Sequence, residues 1–163
     1  MASLARWLHS PGVDWYVTHH FYAWPACETL HFMGLALLFG TVGVFDLRLL
    51  GVAKRMPLAP LHRLLPWGVL GFGLTLITGA VFVLSSPFSY LLNLVFPLKM
   101  LFVLLAGVNV LLFYGAGVFR QVDTLGPGEE APTAAKVVAA ISLFLWIGVM
   151  FLGRMLPFIG GSI

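Results

Sequence analysis

PACETLHFMGLALLFGTVGVFDLRLL, residues Pro25 to Leu50, decides the fold of this chain. At 1.5 Å per residue a helix of that length crosses a hydrocarbon layer of about 30 Å. Pro25 suits a first helical position, and Gly51 closes the segment before the basic stretch Lys54-Arg55-Met56-Pro57. Three more apolar runs follow. One extends over about 61–84 and ends at Ser85-Ser86-Pro87. The next covers about 96–119, before the polar loop Gly126-Pro127-Gly128-Glu129-Glu130. The last covers about 134–156, where Pro157 is expected to stop it.

The 163 residues are 60% hydrophobic and 9% charged, with a mean hydropathy of +1.00. Soluble domains carry about a quarter charged residues, so composition places the chain in a membrane. Backbone polar groups in lipid must be satisfied within the segment, which for runs of this length means helices. The expected fold is all-α: an integral membrane four-helix transmembrane bundle over 25–163. Residues 1–24 form an amphipathic interfacial segment, retained in the mature protein, whose Trp7, Trp15, Tyr16, Phe21, Tyr22 and Trp24 make an aromatic belt. Pro11-Gly12 should break it into two short pieces. Ala36 and Gly40, Thr75 and Gly79, and Ala135 and Ala139 have the four-residue spacing that lets membrane helices approach closely.

Charge sets the orientation. Arg48, Lys54, Arg55 and Arg63 surround the first connection and Arg120 and Lys136 the third, whereas the second, Ser85 to Val95, has no basic residue. The positive-inside bias then puts both termini on the periplasmic side of a bacterial inner membrane. A net charge of +3 is explained by these loop anchors, and no basic run interleaved with aromatics suggests nucleic-acid binding. The single Cys27 rules out an internal disulfide. With no CxxC or CxxCH, covalent c-type haem and thiolate zinc are excluded.

Ionisable groups at membrane depth usually face a cavity, a cofactor or a partner charge. His31 lies roughly 9 Å below the start of the first span; Glu28 precedes it by three residues on the same face. Lys99 near the start of the third span and Arg154 near the end of the fourth fall at the same side, so Glu28, His31, Lys99 and Arg154 can converge. Either they form a hydrogen-bonded, ion-paired core, or they hold a metal or haem, with imidazole as ligand and Arg or Lys on propionates. Cys27, Met100 and Met155 at the same boundary leave Cu(I) open as well. At the opposite side, Asp46, Arg48, His62 and Arg63 read as anchors, with Asp46 tied to Arg48 or Arg63. His31 and His62 are too far apart to share one iron.

His31-x-x-Gly34, Asp46-Leu47-Arg48-Leu49-Leu50-Gly51, Leu65-Pro66-Trp67, Thr78-Gly79, Leu98-Lys99-Met100 and Gly153-Arg154 resemble a family of small four-span bacterial membrane proteins of unknown function. More distantly the chain is similar to the copper-resistance D-like superfamily, which includes haem-b-containing protoporphyrinogen oxidases. That resemblance implies haem b, with His31 and Lys99 at the positions of the oxidases' key residues. It does not carry porphyrinogen oxidation across, because Asn109 stands where those enzymes commonly have a histidine, and their first-span tryptophan and proline-arginine pattern is missing. The expected function is haem b binding near the outer leaflet. His31 would be an axial ligand and Lys99 the opposite ligand or a nearby charge, with Arg154 on a propionate and Glu28 orienting the imidazole. Electrons would pass to or from quinone or a periplasmic partner, making the chain a membrane oxidoreductase or electron-transfer subunit. The alternatives are a copper-handling protein and a structural subunit of a larger complex or homo-oligomer.

Overall fold

Long apolar runs between turn residues become helices in the computed structural model, which describes residues 2–159. In chain order these are α1 (Ala2–Leu8), α2 (Pro11–His19), α3 (Ala23–Leu50), α4 (Leu58–His62), α5 (Leu65–Ser85), α6 (Pro87–Leu91), α7 (Val95–Gly115), α8 (Val118–Val122) and α9 (Thr133–Ile159). No strand occurs among the described residues. Four helices are long and apolar enough to cross a membrane: α3, α4 continued by α5, α7 and α9. The chain is a multi-pass membrane protein with an all-α four-helix bundle.

The ends of these helices follow local chemistry. Gly51 takes a left-handed φ of 92°, so its N–H donates to Arg48 O at 3.1 Å and that of Val52 to Leu47 O at 3.0 Å. Boundaries differ from expectation: α3 begins at Ala23, ahead of Pro25, and the second span begins at Leu58. α7 ends at Gly115 rather than near 119 because Gly117, at φ 73°, turns the chain into the short α8. α9 continues through Pro157 to Ile159, since a proline in the last turn removes only one intrahelical donor.

α3 packs along α5, α7 along α9, and α3 meets α9 between the two pairs; α5 and α7 have no extensive contact and leave a lateral slot. Large side chains such as Leu111 (72% exposed) and Phe144 (66%) face outward, the surface expected where the surrounding solvent is hydrocarbon. The main buried cluster, including Phe45, Leu49, Leu58, Phe113 and Ala135, lies at the Arg48 end of the bundle.

The closest helix approach is not at the expected stripe of α3. A Cβ on Gly34 would lie 2.8 Å from Gly71 O, and one on Gly71 would lie 2.6 Å from Gly34 O, so α3 and α5 touch backbone to backbone. Ala36 and Gly40 instead face outward, and nothing lies within 4 Å of a Cβ at Gly40. Ala135 and Ala139 are buried as the spacing predicts. Gly71→Ala should therefore force the pair apart and cost about 1–3 kcal/mol in detergent unfolding, while Gly40→Ala should leave the midpoint unchanged.

α1 and α2 fold over the His31 end, α2 against α5 and α3, α1 against α6. The Ser10 N–H donates to Leu84 O at 3.3 Å. The segment is broken into two short helices as expected, with Pro11 opening α2 just after the break at His9-Ser10.

At the other end a single side chain gathers the loops. Arg48 is 0% exposed; its Nε donates to Met56 O at 2.6 Å, Nη1 to Glu129 O at 3.2 Å and Nη2 to Gly126 O at 2.9 Å. Outside this knot, Glu130 accepts hydrogen bonds from Lys54 and, at 2.9 Å, from Lys136. Those bonds and charges hold its carboxyl well below its ordinary 4.5, at about 2. A depressed carboxylate contributes stability above its unfolded value and loses it as pH falls toward the folded one. The docking of this loop should be constant from pH 7 to 5 and weaken between about 4.5 and 2. Glu130→Gln should flatten that acid limb, read by amide exchange at Gly128, whose N–H donates to Lys54 O at 2.8 Å.

Candidate functional site

The Gly34–Gly71 approach brings Thr75 and Thr78 of α5 against the face of α3 that carries His31. Thr78 Oγ1 donates to Leu74 O at 2.8 Å, the usual helical back-bond of a threonine. With its proton committed, the same oxygen accepts from His31 Nδ1–H at 2.8 Å. Thr75 O, 3.2 Å from that hydroxyl, is also within hydrogen-bonding reach of the ring. With the Thr78 proton on Leu74 O, Nδ1 is the donor of the pair and the lone pair is on Nε2. The partly buried ring rests on Gly79, where a Cβ would lie 3.6 Å from its Cε1, and tilts against Phe82 at 5.5 Å between centroids.

Lys99 enters from α7. Its Nζ lies 3.3 Å from the position of a Cβ on Gly153 of α9, and its charge is close enough to act on the His31 ring. Among the described residues no carboxylate pairs with it. The structure thus brings His31 and Lys99 into one layer, each seated on a glycine of the neighbouring helix.

The other two sequence candidates are exposed, and among the described residues no ion pair joins them to His31 or Lys99. Glu28 is exposed; Thr78, not Glu28, orients the imidazole. Burial pushes the hydroxyl of Tyr90 in α6 up, and Glu28 and Cys27 act on it in the same direction. Arg154 is exposed, with its guanidinium carbon 5.1 Å over the Phe158 ring. Of the soft candidates, Cys27 Sγ lies 3.8 Å from Thr78 O, one turn before His31, while Met100 faces outward. No group of three or more His, Cys, Asp or Glu side chains able to hold a metal occurs among the described residues.

A second polar layer lies toward the Arg48 end. Asp46 does not pair with Arg48, which has turned to the loop carbonyls, nor with Arg63, which is exposed. It faces Ser142 of α9, and its Oδ2 is buried with no hydrogen-bond partner. Asn109 of α7 is also buried and donates to Val138 O at 3.1 Å. These three residues line a cavity of about 310 Å³ whose walls come from all four long helices. His62 joins neither layer: its Nε2 lies 3.1 Å from the Tyr114 hydroxyl, and its ring stacks on Phe119 at 4.5 Å. Compared with protein-family models, curated proteins and solved structures, the chain has no significant match.

Proposed function

We propose that this protein binds haem b at its His31 end and passes electrons at the periplasmic side of a bacterial inner membrane. The observation that carries the reading is the His31–Thr78 hydrogen bond at 2.8 Å. Histidines that ligate metals commonly donate the other ring N–H to an oxygen, which fixes the tautomer and orients the lone pair. Thr78 and Leu74 O supply that relay here, so His31 Nε2 would hold the iron of the haem.

Lys99 would be the second residue of the site, as a further ligand or as a positive charge beside the ring. Gly79 and Gly153 keep the helix surfaces beside both groups free of side chains, and Arg154, next to Gly153, would neutralise a propionate. Bound haem supplies one-electron chemistry whose potential depends on ligand identity, hydrogen bonding and burial. The protein's part is to hold the Nδ1 proton, exclude water through α1 and α2, and keep positive charge near the group. A quinone in the bilayer or a periplasmic protein is the electron partner.

The approach of Cys27 and His31 to Thr78 favours a second reading, Cu(I) handling. Haem titration of the purified protein in detergent separates the two. One equivalent of haem b should saturate the protein, and Thr78→Val, which keeps shape but removes the acceptor, should weaken binding about 10–100-fold. Stoichiometric copper with no haem uptake would replace this reading with the second.

A further inference from the structure

The cavity at Asp46 lies outside the His31 layer and has a chemistry of its own. It opens between α5 and α7, where Val69 is 70% exposed, so its mouth faces the acyl chains rather than water. The lining is mostly apolar, with three buried polar side chains deep within it. Asp46, only 5% exposed, directs an Oδ2 without a partner into the bundle, with Ser142 and Asn109 on the same lining. A buried acceptor left unmade is costly, and hydrocarbon cannot supply the missing donor. Two aromatic pairs flank the space, Phe72–Trp146 at 6.2 Å and Phe45–Phe113 at 5.8 Å, both edge-on.

We infer that this slot binds a lipid-borne molecule with a flat aromatic head bearing hydroxyls, of the hydroquinone class. The volume of about 310 Å³ lies at the lower end of the roughly 300–1,000 Å³ typical of small-molecule sites. It holds a ring and the start of a tail, not a macrocycle. Aromatic walls favour edge and offset contacts with a ring. One hydroxyl pairs with the Asp46 carboxyl, and Ser142 and Asn109 are the remaining polar partners. A ligand that enters sideways through the acyl chains is neutral, because a charged head would pay heavily for that route. The site needs nothing bound at His31.

The test is titration of the full-length protein in lipid nanodiscs with decyl-hydroquinone, kept reduced, read by tryptophan quenching against empty discs. Saturable binding of one molecule per chain is expected. Asp46→Leu should weaken it at least tenfold. Gly107→Leu should abolish it with the fold intact, since Gly107 lines the slot and a Cβ there meets nothing within 4 Å. His31→Ala should leave it unchanged, so this site and the haem site can fail separately. Equal binding of decylbenzene, tighter binding of decylamine, or full binding by Gly107→Leu would overturn the inference.

Discussion

Arg48→Ala should lower the stability of the protein by about 3–5 kcal/mol, the largest loss expected from any single side chain here. Three backbone carbonyls, of Met56, Gly126 and Glu129, each accept from one guanidinium. A hydrogen bond to a charged group contributes about 1.5–3 kcal/mol, and carbonyls near the bundle end recover part of that from water. Lysine at this position cannot reproduce the planar fork, so Arg48→Lys should recover less than half of the loss. Thermal unfolding in detergent measures the total. Amide exchange locates it: protection should fall first at Gly128 and Val52, whose N–H groups bond across and within the gathered loops. A midpoint unchanged by Arg48→Ala would mean that the loops are held by packing alone.

The second large effect is functional. His31→Ala should eliminate haem binding while leaving the helices assembled, because the ring contributes one side-chain hydrogen bond to packing, worth about 1 kcal/mol. His62→Ala serves as the comparison. It removes an imidazole from the far end of the bundle, where the ring is engaged with Tyr114 and Phe119, and should leave haem content unchanged. Lys99→Met separates the two roles available to the amine. A thioether can take over as ligand, so loss of a ligating amine should change the absorption spectrum, whereas loss of a nearby charge should move the potential alone.

Much of the architecture was legible in the sequence because a bilayer imposes few choices. Run length decides the number of spans, and Gly51 and Pro66 mark helix ends by their backbone requirements. Rotation of each helix about its axis was not legible. Ala36 and Gly40 have the same spacing logic as Gly34 and Leu38, and only docking against α5 selects the second face. Gly117 could have flagged the early end of α7, since a left-handed turn needs such a residue. The depth of His31 and Lys99 followed from counting from the starts of the first and third spans, which run in the same direction. Their supports, Thr78, Gly79 and Gly153, are residue types too common in membrane helices to single out.

The expected Asp46–Arg48 pair had a physical objection already present in the chain. Residues two apart on a helix do not share a face, so Arg48 reaching the loops leaves Asp46 aimed into the bundle. Asn109 and Ser142 fall at a similar depth once α7 and α9 are counted from the Arg48 end. That coincidence was the available signal for the cavity.

Haem ligation by His31 is tested most directly by the oxidised and dithionite-reduced absorption spectra of the protein purified from membranes without added metal, alongside His31→Ala. A Soret band with reduced-state b-type bands in the unaltered protein, gone from His31→Ala at equal protein and intact helicity, is the expected result. An unaltered protein with no Soret band after haem supply in the cell, or a His31→Ala protein that keeps it, would contradict the assignment.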